Sequence, residues 1–170
     1  MKSHLAALCG VILLAGCVNT SKSNRPLTVL MDAPEFTLKN VLGGELKSAD
    51  LKGKVIVVDF WATWCGPCKV EIPRYNKLRA KLKGQPVEFV GITFDSGSAK
   101  DVLPYIKDLN IEYPIVMGTD SVDAAFGGHP GFPTTLLVGK DWKVYRKIFG
   151  AIPNKIQMLE KDINALLAKS

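Results

Sequence analysis

The chain has 170 residues, of which 47% are hydrophobic and 22% are charged, so it suits one folded domain with a core. Its formal net charge of +6 is spread along the chain, and no pattern typical of nucleic-acid binding is visible. We interpret the charge as a solvated surface, with weak attraction to an anionic membrane as the alternative.

The first residues have the pattern of a secretion signal. Lys2 precedes an apolar stretch at residues 5–14, and no acidic residue occurs before Asp32. The stretch is shorter than the roughly 20 residues of a membrane-spanning helix but has the length of a signal-peptide core. It ends in Leu-Ala-Gly before Cys17, which resembles the lipobox of bacterial lipoproteins, where the cysteine carries the lipid. The alternative is an ordinary signal peptide in which Cys17 is incidental.

Three segments are therefore predicted. Residues 1–16 form a lipoprotein signal peptide, and residues 17–30, which are rich in Ser, Asn, Thr and Lys, form a flexible tether. Residues 31–170 form the domain.

Within the domain, strand patterns alternate with helix patterns. Strands are predicted at residues 36–38, 45–46, 55–61, 87–94, 115–117, 134–138 and 143–149. Helices are predicted at residues 67–83, 99–109, 121–126 and 156–167, with Ser98 capping the second. This order predicts an α/β fold with a mixed central sheet, helices on both faces and an N-terminal hairpin across Gly43 and Gly44.

Two cysteines stand where the most apolar strand ends and a helix begins. Cys65 and Cys68 are separated by Gly66 and Pro67, a spacing that allows a short disulfide across a turn. The free backbone N–H groups and the dipole at a helix N-terminus favour a thiolate over a thiol. The pattern therefore predicts dithiol–disulfide exchange.

The remaining cysteines leave this pair alone in the domain. Cys9 and Cys17 both lie in the predicted signal region, so no framework of structural disulfides is expected. Two thiols and His129 also fall short of the four ligands of a structural zinc site. We expect no metal and no cofactor.

Several motifs resemble the thioredoxin superfamily. Residues 59–62 (Asp-Phe-Trp-Ala) and 64–69 (Trp-Cys-Gly-Pro-Cys-Lys) are similar to thioredoxin itself. Residues 33–38 (Ala-Pro-Glu-Phe-Thr-Leu) and 68–73 (Cys-Lys-Val-Glu-Ile-Pro), with an inserted strand and helix, resemble the membrane-tethered TlpA/ResA branch. Residues 131–135 (Gly-Phe-Pro-Thr-Thr) match the cis-proline loop of the family. The resemblance covers essentially the whole domain and implies the thioredoxin fold with a strand–helix insertion.

The resemblance gives each cysteine a role. Cys65 is the nucleophile, with an exposed sulfur whose pKa is lowered from about 8.5 towards about 7. Cys68 is shielded in the first helical turn and resolves the mixed disulfide by attacking the Cys65 sulfur. The alternative is a static structural disulfide.

Two acids complete the expected catalytic set. Asp59 is the lone charge of an apolar strand, so burial should raise its pKa, and the resemblance implies proton exchange with Cys68 through water. The alternative is a strand-end residue that reaches solvent. Glu71 lies one helical turn after Cys68, where the matching family acid tunes the thiols and shapes the client groove. The alternative is a solvated glutamate in the first turn.

Client binding is assigned to the residues around the sulfurs. The Phe132–Pro133 bond is predicted to be cis, which would place a backbone edge beside the sulfurs for a client strand. Trp64, Gly66 and Pro67 should line the same surface, although a core position for Trp64 is the alternative.

The sequence assigns no catalytic role to two further ring side chains near the cysteines or the cis-proline loop. Trp61 should pack beside the site. His129 is close to the cis-proline loop in sequence and is either a tuning group for the thiols or an ordinary loop histidine.

The expected function is an extracytoplasmic, lipid-tethered thiol–disulfide oxidoreductase that reduces disulfides of client proteins. The resemblance implies a membrane-embedded thiol donor of electrons and suggests apocytochrome c maturation, although no Cys-x-x-Cys-His heme motif is present. We expect a monomer in the cell envelope, at the inner or the outer membrane.

Two other functions fit parts of the sequence but not all of it. A peroxiredoxin needs Thr or Ser three residues before its reactive cysteine and proline four residues further upstream, but these positions hold Ala62 and Val58. A Cu(I)-binding or scaffold protein could use Cys65 and Cys68 as soft ligands, but nearby Met or His pairs are lacking.

Overall fold

The computed structural model describes residues 27–169. The predicted signal peptide, Cys17 and most of the predicted tether lie outside the described residues. The last tether residues already contact the domain, because Leu27 packs against the core and the Leu30 N–H donates to the Val144 carbonyl at 2.8 Å. In the part of the chain that the structure describes, no helix has the length and apolar character needed to cross a membrane.

A mixed sheet of six strands forms the centre of the domain. Its strands are β1 (Met31–Asp32), β4 (Val55–Trp61), β5 (Val87–Thr93), β6 (Ile115–Met117), β7 (Thr134–Val138) and β8 (Lys143–Phe149). They are ordered β1-β8-β7-β4-β5-β6. β4, β5 and β6 are parallel, whereas β7 and β8 form the predicted antiparallel hairpin, with β7 next to β4 and β1 next to β8. β6 occupies the region where the strand–helix insertion was expected.

The predicted N-terminal hairpin is a separate two-stranded sheet of β2 (Thr37–Lys39) and β3 (Glu45–Lys47). Its turn contains Gly43 and Gly44 at φ +107° and +74°, a backbone region that glycine enters without strain. A 3₁₀ turn at Ser48–Leu51 leads from the hairpin to β4.

Four helices follow the predicted pattern within a residue or two at each end. They are α1 (Gly66–Lys81), α2 (Ala99–Asp108), α3 (Asp120–Ala125) and α4 (Lys155–Leu167). The predicted N-cap of α2 is confirmed, since the Asp101 carboxylate accepts hydrogen bonds from both the N–H and the hydroxyl of Ser98.

Alternation along β4 divides the core into two faces. Val55, Val57 and Trp61 pack with residues of α1, α2 and α4 in the cluster that contains Cys65 and Cys68. Even-numbered residues such as Phe60 pack with the N-terminal hairpin of β2 and β3 and with Phe126 at the end of α3. We call these the cysteine face and the hairpin face. Because side chains alternate along a strand, Asp59 belongs to the cysteine face.

Candidate active site

A disulfide between Cys65 and Cys68 marks the start of α1, with an S–S distance of 2.02 Å. Cys65 is the N-cap residue, and its Sγ accepts a hydrogen bond from the Cys68 backbone N–H at 3.2 Å. Pro67 fits in the first turn, where its missing N–H costs no helical hydrogen bond. After reduction, the same N–H and the helix dipole would stabilise a thiolate on Cys65.

Both cysteines are more buried than the sequence suggested. Cys65 is 4% exposed and Cys68 is 0% exposed, so the expectation of an exposed Cys65 sulfur is wrong for the disulfide form. The reason is that both residues pack into the core cluster of the cysteine face. Cys65 is the more accessible of the two by this small margin.

Trp64 stands beside the disulfide on the surface. Its side chain is 63% exposed, which excludes the core alternative. Its indole N–H donates to the Asp95 carbonyl at 2.9 Å, and its ring meets Phe132 edge-on at 5.6 Å between centroids. The Thr63 N–H donates to Ser96 Oγ at 3.0 Å. Hydrogen bonds to the loop after β5 therefore fix the segment that precedes Cys65.

Sequence reasoning missed the two loop residues that hold Trp64 and Thr63. The signal was an Asp-Ser-Gly turn directly after β5, at the end of the sheet where the cysteine turn also emerges. Trp61, in contrast, is fully buried, as the prediction of packing beside the site required.

The loop before β7 lies next to Trp64. The Phe132–Pro133 bond is cis, as predicted. His129 stacks on the Phe132 ring at 4.5 Å between centroids, and its Nδ1 lies 2.6 Å from Asp123 Oδ1. The loop histidine therefore supports the aromatic ring that contacts Trp64.

Gly66 and Pro67 are exposed at the start of α1, and Phe132 is half-buried. Phe149, at the end of β8, adds an aromatic side chain that is 54% exposed. Sequence reasoning did not include Phe149. Trp64 and Pro67 thus keep apolar atoms in contact with solvent next to the disulfide, as a surface for extended peptides requires.

Asp59 is buried on the cysteine face. It is 2% exposed, so the alternative of a carboxylate reaching solvent is wrong. Thr135 is its direct partner across β4 and β7, and the Thr135 hydroxyl donates to Asp59 Oδ1 at 3.2 Å. Burial raises the pKa of Asp59 to about 7, while the positive charge of Lys155 opposes the rise. Both protonation states are therefore accessible near neutral pH.

Glu71 is also buried, at 3% exposure, which excludes the solvated alternative. Its Oε2 accepts from Lys155 Nζ at 2.8 Å and from the Tyr75 hydroxyl at 3.3 Å. Lys155 is itself 2% exposed and also donates to the Gly150 carbonyl at 3.2 Å. The charges of this buried ion pair cancel, as burial in a core demands.

The sequence reading missed Lys155, Tyr75 and Thr135. A signal existed for Lys155, because it lies on the same helical stripe as the apolar Leu159 and Ile163. Tyr75 lies one turn after Glu71 on the buried side of α1.

Metal ligands are not assembled around these residues. Within residues 27–169 no group of three or more His, Cys, Asp or Glu side chains could hold a metal ion.

Comparisons with known proteins agree with this geometry. The model of the AhpC/TSA family matches residues 29–147. The chain belongs to the AhpC/TSA family. It is 30% identical to the thiol-disulfide oxidoreductase ResA of Bacillus cereus over 86% of this chain and 84% of that protein. It is 35% identical to ResA of Geobacillus thermodenitrificans over 71% of this chain and 68% of that protein.

Among solved structures, the chain is similar to a thiol:disulfide interchange protein of the thioredoxin family from Chlorobium tepidum. The TM-score is 0.72 at 32% identity, with 81% of this chain and 96% of that chain covered. The predicted thioredoxin fold and the resemblance to ResA proteins are therefore confirmed. The chain is a thiol–disulfide oxidoreductase, and the Cys65–Cys68 pair fits this activity.

Proposed function

We propose that the chain reduces disulfides of extracytoplasmic client proteins while a lipid on Cys17 tethers it to the membrane. The observation that carries the proposal is the position of Cys65 Sγ, which caps α1 and accepts the Cys68 N–H. This position stabilises negative charge on one sulfur of the pair.

The exchange follows from the positions of the two sulfurs. The Cys65 thiolate attacks a client disulfide, whose S–S bond breaks and releases one client thiolate, which takes up a proton. Asp59 then accepts the proton of Cys68 through water, and the Cys68 thiolate attacks the Cys65 sulfur in the mixed disulfide. The bond between Cys65 and the client breaks, and the second client sulfur leaves as a thiolate that takes up a proton from solvent. Two electrons have then passed to the client, and the Cys65–Cys68 disulfide remains.

Client recognition is assigned to Trp64, Gly66, Pro67, Phe132 and Pro133. The exposed Trp64 ring and the edge of the cis-proline loop offer apolar contact and backbone hydrogen bonds to an extended segment. Glu71 lies beneath this surface in the core, where its charge and its hydrogen bonds tune the two thiols.

The direction of electron flow is proposed from the C-G-P-C sequence, which matches thioredoxin. Thioredoxin has a potential of about −270 mV, whereas the oxidant DsbA has one of about −120 mV. Equilibration of the protein with glutathione buffers, read by alkylation and mass, tests the direction. We expect a value near the thioredoxin value, and one near that of DsbA would contradict the reductase assignment.

Location and client class rest on the N-terminal sequence and on the resemblance. The lipobox-like residues before Cys17 support an envelope lipoprotein, and a membrane thiol carrier would re-reduce the disulfide. Val18 is not the aspartate linked in some bacteria to inner-membrane retention, so both membranes stay open. Cys17→Ala should move the protein from the membrane fraction to the soluble fraction.

Apocytochrome c is the client class that the resemblance favours. In cells that produce Cys68→Ser, Cys65 should remain bonded to its clients, which mass spectrometry then identifies. Recovery of apocytochrome c would support this client, and its absence among abundant trapped proteins would contradict it.

A further inference from the structure

A continuous chain of hydrogen bonds leads away from Asp59 through the cysteine face. Thr135 Oγ1 lies 3.2 Å from Asp59 Oδ1 and 3.0 Å from the Tyr75 hydroxyl. The Tyr75 hydroxyl lies 3.3 Å from Glu71 Oε2, on which Lys155 Nζ also donates at 2.8 Å. Each of these five residues is at most 3% exposed, so bulk water does not compete for the contacts.

The far end of this chain meets a cavity of about 580 Å³ between α1 and α4. Glu71 and Lys155 form part of its wall. Arg74, Lys77 and Asn154 also contribute to the wall and are exposed. The cavity therefore brings solvent to the buried ion pair, and its lining includes neither Cys65 nor Cys68.

The number of protons shared by these hydrogen-bonded side chains shows which directions the hydrogen bonds can take. Three contacts join Asp59, Thr135, Tyr75 and Glu71, but the two hydroxyls supply only two protons. A third proton on Asp59 allows every contact to be a hydrogen bond that points towards Glu71. A third proton on Glu71 satisfies the same contacts in the opposite direction. The arrangement is therefore complete with one carboxylic proton at either end.

We propose that Thr135, Tyr75 and Glu71 form a proton relay that connects Asp59 with solvent in the cavity between α1 and α4. This inference rests on the proposed role of Asp59 as the proton acceptor of Cys68. After Asp59 takes the Cys68 proton, it passes a proton to Thr135, Thr135 passes its own to Tyr75, and Tyr75 passes its own to Glu71. Glu71 releases a proton to water, and Asp59 is again a carboxylate.

The charged and titratable groups around Asp59 suit this task. They are Glu71 and Tyr75 from α1, Lys155 from α4, and Tyr113 from the segment before β6. Burial raises the pKa of Tyr75 well above its usual value, so its hydroxyl stays protonated and moves protons only by exchange. While the carboxylic proton lies on Asp59, the positive charge of Lys155 balances the negative charge of Glu71.

Two buried tyrosines provide a matched test. Tyr75 belongs to the relay, whereas the buried Tyr113 hydroxyl has no hydrogen-bond partner among residues 27–169. Both pack against Phe89, at 6.3 and 6.0 Å between ring centroids. Tyr75→Phe and Tyr113→Phe therefore remove the same atom from similar surroundings, but only the first interrupts the relay.

The measurement is a single turnover of the reduced protein with a fluorescence-quenched peptide disulfide. The first, concentration-dependent phase reports the attack by Cys65, and the second, concentration-independent phase reports the attack by Cys68. At pH 7 we expect Tyr75→Phe and Thr135→Val to slow the second phase about tenfold and to leave the first unchanged. Tyr113→Phe should stay within about twofold of the wild type, and Thr135→Ser should restore the rate lost in Thr135→Val.

A plot of the second-phase rate against deuterium fraction separates a relay from a structural effect. The plot should curve in the wild type and in Tyr113→Phe because several protons move, and it should approach a straight line in Tyr75→Phe. A Tyr75→Phe protein that matches Tyr113→Phe in rate and curvature, while Asp59→Asn is slow, overturns the relay alone. A second phase that is unchanged in Asp59→Asn overturns both the relay and the proposed role of Asp59.

Discussion

The two faces of the central sheet are built from the same strands but differ in what they bury. On the hairpin face, Phe60 meets the rings of Phe94 and Phe126 edge-on at 5.0 and 5.6 Å between centroids. On the cysteine face, the neighbouring strand position holds Asp59, which is connected by hydrogen bonds to a buried ion pair. The stability of the hairpin face depends mainly on the packing of its side chains. The stability of the cysteine face depends also on the protonation of Asp59 and on the buried charges of Glu71 and Lys155.

The largest expected difference between the faces concerns the buried ion pair. Glu71→Ala leaves Lys155 charged and without its carboxylate, so the free energy of unfolding of the oxidised protein should fall by about 3–5 kcal/mol. Denaturant unfolding measures it. Asp32→Ala is the control, because it breaks an ion pair with Lys143 at 2.6 Å on the surface and should cost far less than the loss of the buried pair. Equal losses in the two variants would show that the Glu71–Lys155 pair is no more important for stability than a surface pair.

A second prediction concerns pH. Asp59 has a folded pKa of about 7 against a usual value of 3.8, so the folded protein binds this proton more tightly than the unfolded chain. Its contribution to stability is therefore present at low pH and is lost as the pH rises from about 4 to about 7. The loss is on the order of 4 kcal/mol at about 1.4 kcal/mol for each pKa unit. Asp59→Asn should flatten this part of the stability profile, and an unchanged profile would show that Asp59 is ionised throughout.

The hairpin face should respond in stability alone. Phe60→Leu removes three edge-on ring contacts, with Phe94, Phe126 and His129, from a fully buried site and should cost about 1–2 kcal/mol. Denaturant unfolding measures the cost, and the rate of Cys65 alkylation should not change. A changed alkylation rate would mean that the two faces are coupled.

The smallest effect on stability is expected at the surface beside the disulfide. Trp64→Ala loses one hydrogen bond to the Asp95 carbonyl and little burial, so stability should fall by at most about 1 kcal/mol. The KM for a protein client should nevertheless rise about tenfold, since exposed tryptophans at binding surfaces often supply a large share of the affinity. An unchanged KM would remove Trp64 from the client surface.

The sequence predicted the elements of both faces well because each depends on local pattern. The apolar run of β4 and the stripe of α4 were sufficient to define those two elements. The disulfide between Cys65 and Cys68 was predicted from the spacing of the two cysteines. The cis bond before Pro133 was predicted from the resemblance.

The hydrogen-bonded chain could not be predicted, because its members meet only through tertiary structure. Thr135 and Asp59 are 76 residues apart and meet through the register of β4 and β7. Lys155 and Glu71 are 84 residues apart and meet where α4 packs beside α1. Burial of the Cys65 sulfur was also missed, since it depends on how closely the disulfide packs against the core.

In the proposed chemistry, α1 activates the Cys65 sulfur while Cys68 stays shielded behind it. The most direct test is alkylation of the reduced protein by iodoacetamide at pH 7, with the label on each cysteine quantified by mass spectrometry over time. We predict that Cys65 reacts at least about tenfold faster than Cys68. Equal, slow labelling of both cysteines would contradict it.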